Sequence, residues 1–113
     1  MEARATAKFI RVSPQKARLV IDLIRGKNAG QAINILRFTK KRVSGQVEKV
    51  LRSAIANAEQ KSETVDVDRL VVARAYVDEG PRLKRVRPAP QGRAFRYQRR
   101  MSHITVVVEE PER

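Results

Sequence analysis

Apolar and polar positions along the chain change period twice. Residues 3–10 alternate, with Ala3, Ala5, Ala7 and Phe9 on one face and Arg4, Thr6 and Lys8 on the other. A period of two predicts a half-buried strand. The spacing then lengthens. Ser13 offers a side-chain acceptor to a free backbone N–H, and Pro14 fits the first helical position, where its missing N–H costs nothing. Ala17, Val20, Ile21 and Ile24 recur at helical spacing, and Gly26 supplies a terminator, so a first helix is predicted over about 14–25. Asn28 caps a short second helix with Ala29, Ala32, Ile33 and Leu36 in its apolar stripe. A third helix over about 41–60 turns Val43, Val47, Val50, Leu51, Ala54 and Ala58 inward. Glu48, Lys49, Arg52 and Glu59 take its solvent side, and Gly45 weakens its first turns.

The polar, acidic run KSETVDVD at 61–68 reads as a surface loop. Beyond it the pattern is strand-like at 69–79 and again at 102–108. These periods predict an α+β fold: a compact body of three helices packed on a three-stranded antiparallel sheet of residues near 3–10, 69–79 and 102–108. At 113 residues the chain is expected to form one domain, its body being 1–79 and 102–113.

Gly80 to Met101 obeys neither period. Its 22 residues carry Arg82, Lys84, Arg85, Arg87, Arg93, Arg96, Arg99 and Arg100 and no acidic residue. Leu83, Val86, Phe95 and Tyr97 are too few to form a core. Strand-like ends enclose the segment, which predicts a protruding basic β-hairpin with limbs of about 11 residues, roughly 35 Å long at strand rise. Pro88, Ala89, Pro90, Gln91 and Gly92 make a stiff turn-forming tip. An isolated hairpin is marginal in water and eight cations repel one another. An ordered arm therefore implies an external polyanion rather than a disordered basic loop.

Charge over the whole chain extends this picture. Net charge is +13, and 17 of 25 cationic residues are Arg, whose planar fork matches phosphate oxygens. Arg11, Ser13, Lys16, Arg18, Arg25 and Lys27 form a second cluster around the first helix, where free N–H groups of the first turn add to phosphate binding. A membrane is a poorer partner than RNA, because the arm has no broad apolar face and no stretch reaches the roughly 20 apolar residues of a span. The N-terminus lacks the apolar run of a signal peptide, and cysteines are absent, so a cytoplasmic location is expected.

Catalysis needs a positioned acid, base or nucleophile. The one histidine, His103, opens an apolar strand without an obvious partner. Adjacent carboxylates at Asp78 and Glu79 point to opposite faces of a strand and fit a turn into Gly80 and Pro81 better than a metal site. No catalytic residue, metal or cofactor is expected. Two other classes stay open on charge alone. A DNA-binding architectural protein would attract phosphates equally, although no helix–turn–helix spacing or symmetric dimer seam is evident, and no homo-oligomer is expected. A basic scaffold recruiting an acidic protein is the other.

Specific residues go further. Lys16-Ala-Arg18-Leu-Val-Ile-Asp22-Leu-Ile-Arg25-Gly26-Lys27, Val50-Leu-Arg-Ser-Ala-Ile-Ala-Asn57-Ala, Val77-Asp-Glu-Gly-Pro81 with Lys84-Arg85, Gly92-Arg93-Ala94 and Ser102-His-Ile-Thr-Val106 stand in order. The chain closely resembles the bacterial large-subunit ribosomal protein twenty-two family over essentially its whole length. The resemblance implies a body bound to large-subunit ribosomal RNA, a role in subunit assembly among neighbouring ribosomal proteins, and a hairpin lining the nascent-polypeptide exit tunnel near where macrolides act. Carried over by position, it implies RNA contacts at Lys84, Arg85, Arg93, Arg96, Arg99 and Arg100 and on the body at Arg11, Ser13, Lys16, Arg18, Arg25 and Lys27. The implied tunnel-lining tip is Arg87, Pro88, Ala89, Pro90, Gln91, Gly92 and Arg93. Where the family tip usually reads Pro-Arg-Ala-x-Gly-Arg, this chain has Ala89 for the Arg and Pro90 for the Ala, and Met101 replaces a usual Thr.

Overall fold

The computed structural model describes residues 1–81, 83–88 and 94–111. In chain order the elements are β1 (Glu2–Ile10), α1 (Pro14–Ile24), α2 (Ala29–Phe38), α3 (Ser44–Lys61), a 3-10 turn (Val67–Arg69), β2 (Val71–Glu79), β3 (Leu83–Pro88), β4 (Ala94–Arg99) and β5 (Ser102–Glu109). β1, β5 and β2 form an antiparallel sheet in that order, and β3 pairs with β4 in a sheet of their own. The expected α+β body of three helices on three strands is what the chain forms.

The last strand in sequence lies in the middle of the body sheet. That position explains its composition. Ile104, Val106 and Val108 meet the helices, Val107 is covered on the opposite face, and all four are buried. Val20, Ile21, Ile24, Val47 and Leu51 close the core from the helical side with no exposed surface. Gly26 ends α1 at φ 80°, as its position predicts.

Both edge strands carry a bulge, and each bulge moves a side chain. Between Ala7 and Ile10, β1 has one residue more than β5. Ile10 consequently takes the inward phase opposite Ser102, and Phe9 is turned out at φ 60° with 56% exposure. Simple alternation had placed Phe9 inside. Its N–H is held by His103 Nδ1 at 3.1 Å, and the two rings meet edge to face at 5.1 Å, so His103 has a structural partner. A second bulge between Val72 and Arg74 lets Val72 and Ala75 both reach the core.

Exposed sheet edges invite pairing with other chains, and here helix side chains occupy them. Arg18 donates to the Val77 carbonyl, and Arg25 donates through Nε and Nη2 to the Ala75 carbonyl, on the free edge of β2. Further along, Gly26 N–H bonds to the Val72 carbonyl and Ala29 N–H to that of Leu70. On the β1 edge, Asn57 and Lys61 of α3 donate to the carbonyls of Arg4 and Glu2. Arg25→Met, which keeps the apolar stem, is expected to lower stability by about 1 kcal/mol. Lys16→Gln is expected to change it by less than about 0.5 kcal/mol. Denaturant melts compare the two.

Two expectations shift. α3 begins at Ser44 rather than near 41, because the buried Ser44 hydroxyl is engaged with the carbonyls of Thr39 and Lys41 and fixes a turn there. The acidic run after α3 is not only surface, since Val65 and Val67 pack against the core.

Glu48 joins α2 to α3 by accepting from Arg37 and Arg52. The Arg52 hydrogen bond chiefly, aided by Arg37, holds its carboxyl below the usual carboxylate range against a desolvation that raises it. A lowered folded pKa stabilises the fold above the unfolded pKa and loses that contribution as pH falls through the folded one. Glu48→Gln is expected to lower Tm at neutral pH and to match the native chain well below the carboxylate range. Thermal melts at the two pH values check this.

Candidate nucleic-acid interface

Charge is sorted along the sheet axis. β2 ends at Glu79 and β5 begins at Ser102, so the hairpin leaves from one end of the body. Gly80 N–H bonds to the Met101 carbonyl at 2.8 Å and closes its root. A Cβ on Gly80 would come within 3.2 Å of His103 Cε1 and 3.3 Å of the Met101 backbone, so a side chain there would oblige the root to shift slightly. β3 and β4 then pair antiparallel from Leu83 opposite Arg99 to Pro88 opposite Ala94. The radius of gyration, 17.4 Å, exceeds the roughly 13 Å of a compact chain this long, and the long axis reaches 67 Å.

α1 runs beside β2 and brings the body cations to the hairpin root. Its first turn lies at the root end, because Arg18 reaches Val77 while Arg25 reaches Ala75 and Gly26 reaches Val72. The Val12 carbonyl accepts from Ser102 Oγ at 2.7 Å, which places Arg11 and Ser13 beside the base of the arm. Arg11, Lys16 and Arg18 are exposed there, and Arg100 is exposed at the root itself. Ser13 Oγ accepts the Lys16 N–H at 3.4 Å and caps the helix, as predicted. Arg25 and Lys27, also exposed, sit further down the body.

The structure thus brings Arg11, Ser13, Lys16, Arg18 and Arg100 together at the root and leaves Arg25 and Lys27 apart. Arg18 and Arg25 also have structural work that helical spacing alone did not reveal. Their guanidinium groups are held by β2 carbonyls, and Arg25 pairs with Asp22. Lys84, Arg85, Arg87, Pro88, Arg96 and Arg99 lie on the paired backbones of β3 and β4. Ala89, Pro90, Gln91, Gly92 and Arg93 lie outside the described residues.

Acidic groups are more numerous at the opposite end, although Asp78 and Glu79 lie exposed beside the root. Glu2, Glu109 and Glu110 close the sheet there, with Asp66 and Asp68 beside them. Arg69 pairs with Glu110, and Arg74 with Glu2, which leaves this end without a basic surface to rival the root. A polyanion is attracted more strongly to the hairpin end of the molecule than to the other. Among the described residues no group of His, Cys, Asp or Glu is placed to hold a metal ion, and no described helix is long and apolar enough to cross a membrane.

The family model for ribosomal protein L22p/L17e matches residues 5–109. The chain belongs to this family. The L22p/L17e match takes in the body sheet, all three helices and the hairpin strands. The chain is 64% identical over 112 residues to the large ribosomal subunit protein uL22 of Solibacter usitatus, covering 99% of each. It is 59% identical over 110 residues to that of Carboxydothermus hydrogenoformans, covering 97% of this chain and 96% of the relative.

Proposed function

We propose that the chain is a non-catalytic structural component of the large ribosomal subunit in the cytoplasm, where it binds large-subunit ribosomal RNA and supports subunit assembly. The observation that carries this reading is the concentration of cations on the arm and around its root. An arm with eight cations and no acid continues at its root into Arg11, Lys16 and Arg18, which outnumber the exposed acids there, Asp78 and Glu79. Such a surface docks on phosphate in one orientation. Family membership and the relatives' printed names support ribosomal RNA, rather than DNA or an acidic protein, as the polyanion.

In this reading Lys84, Arg85, Arg93, Arg96, Arg99 and Arg100 neutralise RNA phosphates along the arm. Arg11, Ser13, Lys16, Arg18, Arg25 and Lys27 do so on the body. Arg18 and Arg25 are already held by β2 carbonyls, so ordering their side chains costs little on binding. The tip, Arg87 to Arg93, lines the exit tunnel and meets the nascent polypeptide, and neighbouring ribosomal proteins complete the partners. The test is binding to structured large-subunit RNA and to duplex DNA at matched salt. Strong preference for the RNA is expected; equal affinity for both would remove the selection of RNA.

The tip carries its own prediction. Pro88 to Gln91 hold no charge, so deleting them removes no phosphate pair and leaves the root register intact. Near-normal subunit yield with altered macrolide susceptibility or altered nascent-chain stalling is expected. Normal incorporation with neither change would contradict a tunnel position.

A further inference from the structure

The corner between α2 and α3 carries a cationic surface that neither the hairpin nor α1 includes. Arg37, Lys40, Lys41 and Arg42 fall within six residues and all four are exposed, Arg37 being paired with Glu48 of α3. Phe38 stands in their midst with 84% of its surface exposed, the most of any large apolar side chain among the described residues. Single apolar side chains on a surface are ordinary. Here the setting is not.

The corner is held firmly. Thr39 Oγ1 donates to the Ile35 carbonyl at 2.6 Å, and the Thr39 N–H reaches the Leu36 carbonyl at 3.4 Å. The buried Ser44 hydroxyl ties the carbonyls of Thr39 and Lys41 from the other side. Phe38 is therefore presented on fixed backbone. The fold gains little from the cations, because Lys40, Lys41 and Arg42 precede α3, at the helix end that disfavours positive charge. The position also faces the right way. Lys61, at the far end of α3, reaches Glu2 in the acidic end, so the start of α3 lies toward the hairpin end of the body.

An aromatic face beside Lys40, Lys41 and Arg42 has the chemistry of a site for an unpaired nucleotide, the base on the ring and the phosphates on the cations. We propose that the α2–α3 corner binds an unpaired nucleotide of RNA, with Phe38 stacking on the base and Lys40, Lys41 and Arg42 holding the flanking phosphates. The proposal rests on the RNA-binding reading above and adds a contact remote in sequence from the arm.

The test uses the full chain and protein-free large-subunit ribosomal RNA across a salt series. Phe38→Ala is expected to weaken binding on the order of tenfold without changing the salt slope, while Phe38→Tyr keeps native affinity. Lys40→Gln with Lys41→Gln is expected to flatten the slope by about one and a half units. Ultraviolet irradiation of the native complex is expected to leave a nucleotide adduct on the peptide containing Phe38. Native affinity for Phe38→Ala together with no adduct overturns the site and leaves RNA binding by the chain intact. No RNA binding by the native chain overturns both. Normal RNA binding by Phe38→Ala with a defect only in assembled particles assigns the ring to a protein neighbour and overturns the nucleotide.

Discussion

Replacing Arg85, Arg96 and Arg99 together with Gln is expected to flatten the log–log dependence of RNA affinity on salt by about two units. Each phosphate neutralised releases counterions worth roughly 0.7–0.9 of slope. The three residues are spread along the paired limbs, opposite Tyr97, Val86 and Leu83 respectively. Three independent contacts are therefore at stake rather than one shared phosphate. In practical terms, the affinity lost between about 50 and 200 mM salt should shrink roughly fifteenfold. Gln is shorter but stays polar and keeps some hydrogen bonding, so the change in slope reports chiefly charge. Equilibrium binding of the native and triple-substituted chains to the same RNA across that salt range gives both slopes. Equal slopes would show that these side chains do not meet phosphate, and the arm would lose its assigned role.

The largest expected effect on folding is at Leu51. This side chain has no exposed surface and lies on the face of α3 that packs across β1 and β5. Leu51→Ala is expected to cost about 3 kcal/mol through lost transfer energy and the cavity left behind. For a domain of this size that is a fall in Tm on the order of 15 °C, read by thermal melting. Leu19→Ala, at a position 55% exposed on α1, is expected to change stability by less than about 0.5 kcal/mol. Comparable losses at the two positions would contradict the assignment of inner and outer helix faces. RNA affinity at temperatures below both transitions should stay near native for each, because neither carries charge.

The body was legible because its patterns are regular. The stripe from Val43 to Ala58 is buried at every predicted position, and Ser13, Asn28 and Gly26 bound the helices where their chemistry places them. Phe9 was misread because alternation cannot foresee an extra residue in an edge strand. Only the pairing with β5 shows that Ile10, not Phe9, holds the inward phase. The roles of Arg18 and Arg25 were half legible. Helical spacing sets them on one face, but that this face adjoins the free edge of β2 depends on packing between segments 50 to 59 residues apart. Phe38 escaped for a related reason. It stands two residues past Leu36, off the apolar stripe of α2, and helical spacing alone does not show that the cations of the next turn surround it. The arm was legible as a charge run with turn chemistry at its tip, and its strands add only the register.

The central claim, that charge and shape serve docking on the large ribosomal subunit, is tested most directly by sedimentation. Cell lysate prepared without nuclease is resolved on a sucrose gradient, and the chain is followed before and after RNase treatment. The account predicts that the chain travels with the large subunit and with whole ribosomes in untreated lysate and leaves those fractions once RNA is digested. A chain found free at the top of the gradient, or one that keeps its large partner after RNase, would contradict it.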